Sequence, residues 1–343
     1  MPATMLDVAR LAGVSTATVS RVLNNPELVN EETRRRVMDS IQQLDYKINV
    51  AARRLRTNQT RLIAVVIPTI AEPVINQVVE AIEDAAIEQG YTLLLCSTRG
   101  DMEREQAYID LLSQQMAVDG VLYVSPRAAP EHVRRLVQGP APVVLCNYAI
   151  DHPAAPSVWI DHVSSMYQAT RHLIDLGHRA IALLNLDAPY YQPARMRRRG
   201  YELALTEAGL PVDPARIVQI QQPTYDTDKW RAEIDHLLDQ PDRSTAVVAF
   251  NDEVALGVYA ACRARGLHIP YDLSVTGCDD TLLARYADPP LTTVHIPAYE
   301  LGRQAMKHLL RQIEGQSGRA VFIPRLAVEL VIRESCAPPA GVG

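Results

Sequence analysis

Two sets of side chains in this 343-residue chain carry usable chemistry. The first is packed into residues 15–21, Ser-Thr-Ala-Thr-Val-Ser-Arg. Ser15, Thr16, Thr18 and Ser20 bring hydroxyls that suit phosphate oxygens. Ala17 permits close approach, and Arg21 suits bidentate contact with guanine O6 and N7. The second set is dispersed. Asn147, Asn251, Asp252, Asp279 and Asp280 each follow a short apolar run. Arg197 lies in a basic cluster with Arg195, Arg198 and Arg199, just after Tyr190 and Tyr191. Amides, carboxylates, one guanidinium and aromatic faces would grip a polyhydroxylated or heterocyclic ligand. Each amide or carboxylate also fits a plain helix cap, and Arg198 and Arg199 fit a solvated face. Catalytic patterns are missing: there is no GxGxxG after a strand, no P-loop, no HExxH and no GxSxG. The nine histidines show no metal-ligand spacing, and His178 in Leu-Gly-His-Arg reads as structural. No catalytic residue, metal or cofactor is therefore expected.

The elements that must position the first set are legible. Thr4 caps a helix with Asp7 as its capping-box partner, and Val8, Leu11 and Ala12 fall on one face. Gly13 supplies a left-handed turn. Ser15 caps a second helix, Thr16 to Leu23, with Val19, Val22 and Leu23 inward, and Asn24, Asn25 and Pro26 stop it. Helix, Gly turn, helix is the helix-turn-helix layout, whose second helix enters the DNA major groove. An ordinary helical hairpin is the plainer alternative. Asn30 caps a third helix, with Glu31 and Glu32 in its first turn and Val37, Ile41 and Leu44 as its buried stripe. Residues 49–56, Asn-Val-Ala-Ala-Arg-Arg-Leu-Arg, form a helical pattern below the ~12–15 residues a helix needs alone. They read either as a basic linker or as a hinge helix that orders when two copies meet on DNA, with Leu55 as a minor-groove wedge.

From Leu62 onward, apolar runs alternate with amphipathic stretches. Runs such as Leu62–Ile67, Gly120–Val124, Ile181–Leu184 and Ala246–Phe250 suit strands buried on both faces. Stretches such as Ile75–Glu88, Ser164–Leu176, Arg199–Ala208 and Glu253–Arg265 suit helices between them. This βαβ alternation predicts about nine strands in two doubly wound parallel sheets. Such pairs bind small ligands outside the strand C-termini, where the second set of residues falls.

Composition narrows the class. An apolar content of 48% suits a chain that buries a real core. The net charge of −6 excludes a polybasic nucleic-acid binder. Residues 1–60 carry nine basic and six acidic side chains, a net +3 that leaves −9 for the remainder. A mildly basic head on an acidic body fits a small DNA-reading module on a larger domain. The five cysteines are far apart, which suits buried thiols in a reducing compartment. No stretch has membrane-spanning length or the form of a signal peptide, so a cytoplasmic location without membrane contact is expected.

Five motifs together resemble the lactose-repressor (LacI/GalR) family of bacterial transcriptional regulators, over essentially the whole chain. They are the head segment from Thr4 to Asn24, Asn49-x-x-Ala52-Arg53-x-Leu55, Leu173-x-x-x-Gly177-His178-Arg179, Asn251-Asp252-x-x-Ala255-Leu256-Gly257, and Asp288 to Val294. The resemblance implies a three-helix head and a two-lobed, periplasmic-binding-protein-like α/β body. It implies that Thr16, Ala17 and Arg21 read bases, that Thr4, Ser15, Thr18, Ser20 and Asn24 hold phosphates, and that Leu55 intercalates. It places Asn147, Arg197, Asn251 and Asp279 in an effector cleft, to which the residue reading adds Tyr190. The expected function is a homodimeric repressor on a pseudo-palindromic double-stranded operator, controlled by a sugar or nucleoside effector. Stretches such as Asp288–Met306 resemble the cytidine-repressor branch. Departures are Val74 and Ile75 where the family often has aromatic residues, Ile296 in place of a Gln, and Ile48 in place of a Pro. The first two predict an aliphatic cleft, with Tyr190, Tyr191 or Tyr225 to supply a ring.

The expected domains are a head at 1–47, a hinge and linker at 48–61, a body at 62–333 and a loose tail at 334–343. Within the body, one lobe covers about 62–160 plus 292–320 and the other about 161–291 plus 321–333. No heptad follows Arg333, so no tetramer is expected. A solute-binding protein and a sugar or nucleoside enzyme share such a body. The head argues against the first, and the missing catalytic motifs argue against the second.

Overall fold

The computed structural model describes residues 3–46, 59–115, 117–124, 130–147, 156–187, 191–221, 230–240, 242–316 and 325–340, without the side chains of 24, 130, 187 and 221. The chain divides into two compact units, Met1–Thr60 and Arg61–Gly343.

The first unit holds α1 (Met5–Ala12), α2 (Thr16–Asn24) and α3 (Glu31–Gln43). Its helix ends are set locally. Thr4 Oγ1 accepts from the Asp7 N–H at 3.3 Å, and the Thr4 N–H donates to Asp7 Oδ2 at 2.9 Å, closing the capping box. Gly13 ends α1 at φ 63°, a left-handed value that any side chain would strain. Ser15 and Asn30 cap α2 and α3 by accepting from the Thr18 and Thr33 N–H groups at 3.1 and 2.8 Å. Each such cap contributes about 1 kcal/mol. Val8, Ala9, Ala12, Val19, Val22, Val37 and Tyr46 form the core. Leu23, Ile41 and Leu44 pack at its rim. Leu11 does not join it and is 46% exposed. At 100° per residue the buried face of α1 centres between positions 8 and 9, which turns Leu11 well off it.

The second unit begins with β1 (Leu62–Ile67), α4 (Pro73–Glu88), β2 (Thr92–Ser97), α5 (Met102–Asp110), β3 (Gly120–Tyr123), α6 (Pro130–Val137), β4 (Val143–Cys146) and β5 (Ser157–Val158). It continues with α7 (His162–Asp175), β6 (Ile181–Asp187), α8 (Gln192–Glu207), β7 (Ile217–Gln221), α9 (Arg231–Leu238), β8 (Ala246–Ala249) and α10 (Asp252–Ala264). The last elements are β9 (Ser274–Asp279), α11 (Leu282–Tyr286), β10 (Thr292–His295), α12 (Ala298–Ile313) and β11 (Glu329–Val331). The first sheet runs β2-β1-β3-β4-β5 and is parallel throughout. The second runs β7-β6-β8-β9-β10-β11, parallel except for the antiparallel β10–β11 pair. Both sheets reverse order beside their first strand, which opens a crevice at the strand C-termini.

Four departures from the sequence reading have physical causes. The sheets contain β5, β7, β10 and β11 besides the apolar runs; these are short or half-polar, so a hydrophobic run does not mark them. Helix α8 begins at Gln192 rather than Arg199, because Pro193 is accepted in a first turn and the basic residues face outward around buried Arg197. Strand β10 pairs with β9 in the second sheet, so the return to the first lobe comes with α12 and not at 292. Finally, the chain after Arg333 is tied down rather than loose. Ser335 is fully buried; its Oγ donates to Val275 O at 2.6 Å and accepts from the Thr292 N–H at 2.8 Å. Ala337 O accepts from His178 Nε2 at 2.9 Å, while His178 Nδ1 lies 2.8 Å from Thr245 Oγ1. His178 thus pins the tail to the second sheet.

Candidate effector cleft and nucleic-acid interface

In the head, Thr16, Ala17 and Arg21 are exposed along one face of α2, opposite buried Val19 and Val22. Thr18 and Ser20 are half-buried beside them. Thr4 and Ser15 are exposed and act as caps, so their oxygens sit where the first N–H groups of α1 and α2 emerge. Ser15 Oγ and Thr18 Oγ1 also share a hydrogen bond of 2.9 Å. Asn24 closes α2, and its side chain lies outside the described set. Asn49, Ala52, Arg53 and Leu55 lie outside the described residues.

In the body, Asn147, Arg197, Asn251 and Asp279 line one cleft of about 640 Å³, open mouth included. Tyr190 and Tyr225 lie outside the described residues, and Tyr191 lines the cleft. Each polar group is placed by its element. Asn147, just after β4, takes a left-handed φ of 53° and its Oδ1 accepts from the Ile160 N–H at 3.1 Å. Asn251 caps α10 by accepting from the Val254 N–H at 2.9 Å. Asp279 ends β9 at φ 124°. Two successive positive-φ aspartates mark a strained corner, where Asp279 lines the cleft and Asp280 instead pairs with Arg333.

Arg197 organises the floor. It is 5% exposed, donates to the Phe250 carbonyl oxygen, and reaches Asp279 Oδ1 at 3.4 Å and His162 Nδ1 at 3.4 Å. Its guanidinium also stacks 4.2 Å from the Phe250 ring centroid. Tyr191 meets Phe250 at 5.8 Å between centroids, tilted by 46°. Burial pushes the Asp279 carboxyl well above its usual range, and the Arg197 cation opposes that push. Behind it, Asp252 is fully buried and accepts from the Thr281 N–H at 2.7 Å, from Thr281 Oγ1 at 2.9 Å and from Thr293 Oγ1. It braces β9 and β10 against α10. The remaining wall is aliphatic: Val74, Ile75, Val78, Val124, Ile296 and Leu301 line it, as the departures at Val74, Ile75 and Ile296 led us to expect.

Reading by strand ends missed Glu72, His162 and Phe250, which also line the cleft. Glu72 and His162 precede or open helices, and helix N-termini beside strand C-termini were the signal available. Glu253 in the first turn of α10 is pushed up to about 7 by burial, reinforced by Glu72 and Asp252 and opposed by an Asn251 hydrogen bond. Its folded value lies above the ordinary 4.5, so its stabilising contribution is full below about pH 4.5 and is lost as pH rises through about 7. Glu253→Gln is expected to flatten the fall in melting temperature across that window, measured by circular dichroism in matched buffers.

A small all-α reader and a two-lobed binding body with a polar-floored cleft define the class: a ligand-responsive DNA-binding protein. Residues 4–49 match the family described as bacterial regulatory proteins, lacI family. Residues 60–334 match the periplasmic binding proteins and sugar binding domain of LacI family. The chain belongs to the LacI family. It is 35% identical to the HTH-type transcriptional regulator DegA of Bacillus subtilis, over 98% of this chain and 99% of that protein. It is also 35% identical to the HTH-type transcriptional repressor CytR of Escherichia coli K12, over 97% and 96%. The solved lac repressor dimer, bound to operator and the anti-inducer ONPF, superposes with a TM-score of 0.83 at 28% identity, over 98% of this chain and all of that one.

Proposed function

We propose that this chain is a homodimeric, sequence-specific repressor whose operator affinity is set by a small molecule of sugar or nucleoside type in the Arg197 cleft. The carrying observation is the outward face of α2, with Thr16, Ala17 and Arg21 exposed above a complete core. One head then reads each half of a pseudo-palindromic operator. Thr4, Ser15, Thr18, Ser20 and Asn24 hold phosphates. In this reading residues 1–47 form the reader and 48–61 the hinge, whose Asn49, Ala52, Arg53 and Leu55 bind DNA, with Leu55 as the minor-groove wedge. The named dimer and operator of the lac repressor structure support this assembly.

In the cleft, Asn147, Asn251 and Asp279 share the lining with Arg197, with Tyr190 as a candidate ring from outside the described residues. An effector that favours one lobe arrangement by ~1–3 kcal/mol changes DNA affinity several-fold to about a hundredfold. In this reading the site binds without catalysing: Asp279 pairs with Arg197, and Asp252 braces the strand ends behind it. Operation in the cytoplasm follows from that role, and no described helix is long and apolar enough to cross a membrane.

The test is selection of a binding sequence from random duplexes by the full chain, followed by gel shift. A palindromic consensus is expected. Arg21→Ala should weaken it by about 10- to 100-fold while weakening random DNA far less. Failure to enrich any sequence, or an equal loss on both DNAs, would sink the reading.

A further inference from the structure

Among the described lining residues of the cleft, His162 carries the one fully buried side-chain polar atom without a hydrogen-bond partner. It is 3% exposed, lines the cleft, and its Nε2 has no hydrogen-bond partner among the described residues. An unpaired buried polar atom costs stability unless a ligand or water completes it. The ring is also fixed in place. His162 opens α7, whose N-cap Asp161 accepts from the Ser164 N–H at 3.0 Å. The His162 N–H donates to Ile160 O at 2.9 Å, and its carbonyl accepts from Ser165 Oγ at 2.9 Å.

The tautomer follows from chemistry. Arg197 has only donors, so His162 Nδ1 must accept from it. The proton then sits on Nε2. Burial and the Arg197 cation hold the imidazole well below its usual value, so the ring stays neutral and Nε2–H remains a donor at working pH.

The surroundings disfavour an anionic ligand. Among the described lining residues Arg197 is the sole cation, and it is engaged by Asp279, Phe250 O and His162. Glu72 and Asp279 line the same cleft. Four helix N-termini reach it, yet none offers a ready phosphate cradle. Asn251 and Asp161 cap two of them, and Pro73 and Pro193 remove an N–H from the first turns of the others.

We propose that His162 reads the effector through Nε2–H, donating to an uncharged acceptor oxygen, so that the cleft takes an unphosphorylated sugar or nucleoside and rejects its phosphate ester. This deepens the effector reading above and rests on it. Two measurements on the full chain test it. In ¹⁵N spectra, with His162 assigned by its loss in His162→Gln, the Nε2–H tautomer should persist from about pH 7.5 to about 5.5. An Nδ1–H tautomer, or a midpoint near 6.5, overturns the proposal.

The second measurement is melting with ribose, cytidine, adenosine and their 5′-phosphates. An uncharged probe should bind at least about tenfold more tightly than its ester. His162→Phe should lose about tenfold or more in that binding, whereas His162→Gln, which keeps an N–H donor, should lose less than about threefold. Equal or tighter binding of an ester, or wild-type binding by His162→Phe, overturns it. A screen in which no probe shifts the melting overturns the proposed ligand class. Selection of an operator sequence tests the DNA-reading function separately, so the two failures are distinguishable.

Discussion

Gly200→Ala is expected to lower the melting temperature of the body by roughly 5 °C or more, from a loss of about 3 kcal/mol or greater. Gly200 lies where α8 crosses α7. A Cβ there would overlap the Val163 carbonyl oxygen and come within 2.9 Å of Tyr167 N. Both are backbone atoms of one helix, so no side-chain rotamer can relieve the clash. In a plain helix Ala is favoured over Gly by about 1 kcal/mol, and here the overlap overrides that gain. The site should suffer as well as the stability. Val163 follows His162, and Gly200 lies one turn from Arg197, so parting these helices parts His162 from Arg197. Effector response should fall along with the melting temperature. Arg199→Ala, on the exposed face of the same helix, should melt like the parent. Equal melting of Gly200→Ala and the parent in calorimetry would remove the crossing as a constraint.

That crossing was invisible in the sequence, and the reason is general to this chain. The head was legible because its signals are local. Thr4, Gly13, Ser15 and Asn30 each act within four residues along the chain. The cleft was half legible. Asn147, Asn251 and Asp279 sit at the C-terminal ends of apolar runs, where a doubly wound sheet must open, and Arg197 lines the same cleft. His162 gave no such sign, and Phe250, though it ends the run Ala246–Phe250, is apolar and reads as core. His162 looks like the first residue of an amphipathic helix. Ser335 is harder still. It lies in a Pro- and Ala-rich tail, and only its fit between Val275 and Thr292 shows that the tail is structural. Gly200 carries no local mark either, because a helical glycine has meaning only in the helix packed against it.

Arg197→Met should abolish effector response and cost on the order of 3 kcal/mol, because it leaves Asp279 buried without its cation. The Asp279 side chain is 13% exposed, and the Arg197 side chain 6%. The pair is therefore screened little by water, and each partner is expensive without the other. Methionine preserves much of the volume and the contact with Phe250, so lost packing explains only part of such a cost. Arg197→Lys should rescue little. One ammonium cannot meet Phe250 O, Asp279 and His162 together in the geometry that a guanidinium fork holds. The double substitution Arg197→Met with Asp279→Asn separates the two consequences. Removing both charges should recover much of the stability, since no uncompensated carboxylate remains. It should not recover effector response, because the fork that orients His162 and faces the ligand is gone. A double-mutant cycle on melting, run beside the change in operator affinity on adding effector, reads both quantities on the same proteins. Strictly additive stability losses would show that Arg197 and Asp279 are neighbours without coupling. Effector response in the double variant would show that the cleft floor can be rebuilt without the guanidinium, and Arg197 would then lose its place at the centre of the site.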